Sequence, residues 1–138
     1  MVNGIRIANI GEGTGRLVKL TPASDPLLSQ TIIVLDGAGD LKTATAATDN
    51  TATCFLNVLD SEYSKRPVKE ISVHEVKGSL PITLANDTDG SYTSADVGTI
   101  CGLNATADGI DKANATALVK IIEVVSRAGQ QEVYFKFI

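Results

Sequence analysis

A chain of 138 residues and 14.4 kDa has room for one ordinary domain, which excludes a multidomain machine. Hydrophobic residues at 43%, charged residues at 20% and a mean hydropathy of +0.12 exclude a disordered chain, so one folded core is expected. Twelve Lys and Arg against 16 Asp and Glu leave a net charge of −4, which argues against nucleic acid and anionic membrane as partners.

Ile5 and Ile7 flank Arg6, and Leu17-Val18-Lys19-Leu20 follows the glycine run Gly11-Glu12-Gly13-Thr14-Gly15. The first twenty residues therefore read as two extended pieces around a flexible turn, an N-terminal arm or entry strand (1–20) ahead of a single β domain (21–138). Pro22 and Pro26 break any helix. Thr31 to Leu35 is a β-branched run that stops at Asp36-Gly37-Ala38-Gly39-Asp40, and Leu41 to Thr45 resumes with alternation, which is a hairpin signal. Cys54 to Leu59 is another apolar run, and the charged stretch from Asp60 to Pro67 reads as a solvated loop or a single helical turn.

Ile71 and Val73 alternate with Glu70, Ser72 and His74, so they share one face of a strand. Pro81 to Ala85 is a short strand, and Asn86-Asp87-Thr88-Asp89-Gly90 is a reversal. Thr99 to Leu103 is a strand candidate, followed by a small, polar, turn-rich segment from Asn104 to Thr116. Ala115, Leu118, Val119, Ile122 and Val125 recur at helical spacing, yet the β-branched content from Val119 to Val125 favours a strand. A reversal at Arg127-Ala128-Gly129-Gln130 and the alternation of Val133, Phe135 and Phe137 complete a long antiparallel hairpin. The expected fold is all-β, with about nine to eleven short strands, in a small antiparallel barrel or sandwich with an extended N-terminal arm and at most one short helix. There is no internal repeat.

Candidate chemistry is sparse. His74 is the only histidine, and no Ser or Cys context supports a nucleophilic triad around it. Cys54 and Cys101 lie 47 positions apart, outside any CxxC, and read as two buried thiols unless folding brings them together. Gly11 to Arg16 lacks the spacing of a phosphate loop, and Asp87-Thr88-Asp89-Gly90 and Asp108-Gly109-Ile110-Asp111 are only fragments of calcium loops. Glu62, Lys65, Arg66, Lys69 and Glu70 form a mixed, solvated charge cluster. Asn86-Asp87-Thr88, Asn104-Ala105-Thr106 and Asn114-Ala115-Thr116 match the glycosylation tripeptide, a by-product of 14 threonines. The start of the chain lacks a basic, then apolar, export signal, and no apolar run approaches the ~18 to 20 residues of a membrane span, so a protein made in a cytoplasm is expected. No enzyme, cofactor or metal is expected from these residues, and a binding or structural role is favoured.

The order of features resembles the small all-β decoration, or cement, proteins on the capsids of tailed bacteriophages. The residues that carry the likeness are Leu17-Val18-Lys19-Leu20, the Ile32 to Ala44 hairpin, Thr93 to Gly98 leading into Thr99 to Leu103, and the closing pair from Lys120-Ile121-Ile122-Glu123-Val124-Val125 to Tyr134-Phe135-Lys136-Phe137-Ile138. Asp60 to Lys77 departs from the pattern by its length and charge. The resemblance implies a non-enzymatic virion protein on the outer surface of the mature capsid, clamping neighbouring subunits of the major capsid protein. It further implies a homotrimer, and an arm whose Val2, Ile5, Ile7, Ile10 and Arg16 contact the capsid. A protein that binds only the assembled lattice stabilises it by mass action, site after site. The alternative expectations are a β-barrel ligand-binding module, such as one for carbohydrate using Tyr63, Tyr92 or Tyr134, and another phage component such as a head-fibre base or tail protein.

Overall fold

The computed structural model describes residues 4–7, 17–20, 30–35, 39–57, 71–76, 81–84, 91–127 and 130–138, with the backbone alone at Ile7, 17–20, 71–75, Leu84 and Arg127. The described residues form the strands β1 (Ile5–Ile7), β2 (Leu17–Leu20), β3 (Ile32–Leu35), β4 (Leu41–Thr43), β5 (Cys54–Leu56), β6 (Ile71–Glu75), β7 (Pro81–Leu84), β8 (Ile100–Leu103), β9 (Ile110–Asp111), β10 (Val119–Arg127) and β11 (Gln130–Phe137). The remaining regular element among them is a 3₁₀ turn at Ser94–Asp96. The fold is all-β, as the patterning predicts, and no described helix is long and apolar enough to cross a membrane.

Two antiparallel sheets share one core. A curled, half-barrel sheet has the order β1-β7-β11-β10-β8-β9, and a smaller one the order β2-β6-β5-β3-β4. The long β10–β11 hairpin is the middle of the larger sheet, with Val119 opposite Phe137 and Arg127 opposite Gln130. Its inward side chains follow the period-two rule: Val119, Ile121, Val133 and Phe135 are fully buried. They meet Ile32, Val34, Cys54 and Leu56 of the smaller sheet in a single apolar cluster with Tyr92, Leu103 and Ile110. The smaller sheet is buried on its other face too, since Ile33 and Phe55, paired in register, are both inaccessible. That explains why the runs at 32–35 and 54–56 are continuously apolar rather than alternating.

The two edges of the larger sheet are joined by the start of β3. Ile5 N–H, on the β1 edge, donates to Gln30 O at 2.9 Å, and Ile32 N–H donates to Ala107 O at 2.8 Å, in the turn before β9. Gln30 and Ala107 both adopt the left-handed backbone region at φ 59°, and each stands at this seam. Left-handed backbone costs a non-glycine residue roughly 1–2 kcal/mol, so the seam is held by its hydrogen bonds and by the burial of Ala107.

The sequence expectations meet two differences here. β9 lies inside the segment read as turns, because two residues are too few for alternation to show. Ile5, expected in an arm that reaches out to a capsid, is 0% exposed and belongs to this chain's own core, in a strand paired with β7 through Ile5 opposite Thr83. Ile7 lies in the same strand, opposite Pro81, while Val2, Ile10 and Arg16 lie outside the described residues. The physical reason is burial: a β-branched side chain completely removed from water in its own core is not available to fill a partner's pocket.

Candidate interaction surface

The outward face of the larger sheet follows from its register. In the row across β8, β10 and β11, Ile100 stands opposite Lys120, and Lys120 opposite Lys136. Between Ile121 and Glu123 the register shifts, so Ile122 is a bulge residue with no opposite number on β11. Ile100 remains 47% exposed and Ile122 36%, with Val97 and Ile138 exposed to a similar degree. This end of the face therefore carries branched apolar side chains beside two lysines.

Further along the same hairpin the face becomes acidic and self-neutralised. Glu132 accepts from Arg6 Nη2 at 3.3 Å and from the Tyr134 hydroxyl at 3.4 Å. Arg6 and Tyr134 are the register neighbours of Ile82, which is buried although it points away from the shared core. An exposed pair of this kind adds little stability, roughly 0 to 1 kcal/mol, so its main effect is to order the face.

Beneath the sheet, Tyr92 anchors the chain that leads to β8. Its hydroxyl donates to Ile110 O at 3.0 Å and accepts from Lys112 N–H at 3.3 Å, while Gln131 accepts from Tyr92 N–H at 2.9 Å and donates back to Tyr92 O. Lys112 Nζ lies 5.1 Å from the Tyr92 ring centroid, donates to Ser91 O, and pairs with Asp96 at 3.3 Å. Thr93 and Asp96 form a capping box around the 3₁₀ turn, and the Asp96 carboxyl is held below the usual range by the Thr93 N–H and by Lys112.

The acidic candidates on described residues, Asp108 and Asp111, have structural roles. Asp108 Oδ1 accepts from Asn104 Nδ2 at 2.8 Å and Thr106 Oγ1 at 2.6 Å, and Asp111 Oδ1 accepts from Ala113 N–H at 2.9 Å. These carboxylates close turns, and among the described residues no three His, Cys, Asp or Glu converge as ligands. Asp87 and Asp89 lie outside the described residues, as do Gly11 to Arg16, the 62–70 charge cluster and Tyr63. Asn104 is buried and Asn114 donates both to Ala46 O and to Leu103 O, so neither amide is presented for modification. His74 stands in β6 opposite Leu17 and Leu56. Cys54 and Cys101 are free, buried thiols, each pushed up to about 11, by burial at Cys54 and by burial and then the Asp111 charge at Cys101.

A shallow cleft of about 280 Å³ lies beside β4, lined by Val34, Leu35, Lys42, Thr43, Thr45, Ala47, Thr48, Asp49 and Ala52. It has no aromatic wall. Tyr92 is 1% exposed and Tyr134 is half-buried, so the described tyrosines build no flat platform for a sugar.

The chain matches no protein-family model, no curated protein and no solved structure.

The alternation of residues alone does not single out the outward face as a candidate surface. A signal was present in Lys120-Ile121-Ile122-Glu123, where two adjacent isoleucines break the alternation of an otherwise regular strand and mark the bulge.

Proposed function

We propose that the protein is a non-enzymatic structural component that binds the outer surface of a mature phage capsid and clamps neighbouring major capsid protein subunits. The order of sequence features that resembles the capsid decoration proteins supports this reading, as does a body built almost wholly of antiparallel strands. The observation that carries it is the exposed pair Ile100 and Ile122, displayed with Lys120 and Lys136 on the middle strands of the larger sheet. Apolar side chains held on a rigid sheet lose little entropy on docking, and the flanking cations select a partner surface with acidic residues at its rim.

Co-sedimentation with mature and immature empty shells tests the proposal. Retention on mature shells alone is the expected result, with binding lost in an Ile100→Asp, Lys136→Glu variant that keeps the native circular dichroism spectrum. A protein that pellets with neither shell, or a variant that still coats mature shells, overturns the assignment of function or of face respectively. Because Ile5 is a core residue, deletion of the first ten residues is not a clean test of binding.

A further inference from the structure

β10 is paired with β11 along its whole length but with β8 only at Val119 and Lys120. Ile121 adds two hydrogen bonds on that side, donating to Thr99 O at 2.9 Å and accepting from Gly98 N–H at 2.8 Å. Beyond it, from Glu123 to Arg127, no described strand lies beside this edge. The reason is the path of the chain: residue 92 is tied to Gln131, on the inner side of the hairpin, so the segment entering β8 passes under β10.

Which backbone groups face this edge follows from the hairpin. Two residues separate Arg127 from Gln130, and a hairpin of that length closes on a hydrogen-bonded pair. Alternation then turns Arg127, Val125 and Glu123 towards β11, and Val124 and Ser126 away from it. The bulge at Ile122 reconciles this order with Ile121, whose N–H and C=O both point towards β8.

We infer that β10 pairs antiparallel with β10 of a second copy of this chain, about a two-fold axis through Val125. In that register Val124 stands opposite Ser126 of the other copy, twice, so the groups turned to the edge are the ones that meet, forming four hydrogen bonds. Val125 meets Val125 on the axis. Glu123 stands opposite Arg127, also twice, at non-hydrogen-bonded positions where side chains approach most closely. The strand Glu123-Val124-Val125-Ser126-Arg127 is thus complementary to its own reverse in charge, size and backbone polarity. A two-fold edge contact is closed, so it consumes the exposed edge in a dimer and does not propagate into fibres. The pairing rests on the strand itself and is independent of the capsid reading.

Sedimentation velocity over a series from low micromolar to near-millimolar concentration tests it, with the full chain and no partner. A reversible monomer–dimer equilibrium is expected. Ser126→Pro removes an outward N–H without touching the ladder to β11, and should abolish the dimer while preserving the melting profile. Glu123→Arg and Arg127→Glu should each weaken the dimer roughly tenfold by placing like charges opposite each other, and the double exchange should restore it. A chain that stays monomeric throughout or sediments as a trimer, a Ser126→Pro protein that still dimerises, or a double exchange no tighter than either single one overturns the inference.

Discussion

The side-chain amide of Asn114 donates to the backbone oxygen of Ala46 at 2.7 Å, a residue 68 positions earlier in the chain. The same amide donates to Leu103 O at 2.9 Å, and Asn114 Oδ1 accepts from Thr116 N–H at 3.1 Å. One side chain thereby ties the 45–52 turns, which line the cleft, to β8. Asn114→Ala should cost about 1–3 kcal/mol in urea denaturation, because backbone groups lose partners in a half-buried place. Gly102 is part of the same fit: a Cβ there would lie 2.5 Å from Asn114 Nδ2 and 3.1 Å from Thr116 Cβ. Gly102→Ala should destabilise the native chain and cost less in the Asn114→Ala background, a coupling measured by the double-mutant cycle.

Ile5→Ala should lower stability by about 2–5 kcal/mol, the range for truncating a buried Ile in a core. A melting temperature unchanged by the substitution would mean that β1 does not pack against β7 and the residues around it.

Tyr92→Phe keeps the ring and removes the hydroxyl that serves both Ile110 O and Lys112 N–H. A loss of about 1–3 kcal/mol is expected in denaturant titration. Lys112→Met should cost less, because its ion pair with Asp96 is partly exposed and its contact with the ring is only one of several ties on Tyr92.

The two thiols set an alkaline limit. Their folded values, pushed up to about 11, lie above the ordinary 9.0, so the neutral thiols favour the native state. That contribution is whole below pH 9 and is lost as the pH rises through the folded values near 11. Thermal melts between those limits should show falling stability, with the slope reduced in Cys54→Ala, Cys101→Ala. A disulfide reagent at pH 8 should leave both native thiols nearly unreacted and modify them at once in denaturant.

Asp96 works in the opposite direction. Its carboxyl is depressed first by the Thr93 N–H, at 2.7 Å, and then by Lys112, so its contribution is present above the unfolded carboxylate value and fades as the pH falls through the folded one. Stability measured on acidification should fall less steeply in Asp96→Asn than in the natural chain.

Much of the strand plan was legible because it is local. Gly39 at φ +86° supplies the reversal that the Asp36 to Asp40 run signals, and Val133, Phe135 and the inward residues of β10 obey the alternation that their order announces. Beyond the two hairpins, β3–β4 and β10–β11, the partnership of strands was not legible. Ile5-Arg6-Ile7 reads as an extended piece whether it docks on β7 or on another molecule, and the choice is made by Thr83 and Gln30, far away in sequence. The same holds for the candidate face: Ile100, Lys120 and Lys136 become neighbours only through the register of three strands. The acidic turn at Asp108 is different again, since its residue types are visible while their use, closing on Asn104 and Thr106, depends on the turn geometry.

The order of strands in the larger sheet has a consequence for how the chain is made. β1 and β7 neighbour each other, as do β8 and β9, and apart from the bonds through Gln30, Ile32 and Thr83 these two pairs are united by the hairpin between them, whose strands are made after all the others described. Until β10 and β11 emerge, the earlier pairs are short ribbons with apolar faces uncovered, the kind of species that chaperones bind. Assembly of the sheet thus waits for β10 and β11 to be made, and a chain stalled before Val119 should be retained by chaperones or degraded rather than accumulate as a folded fragment.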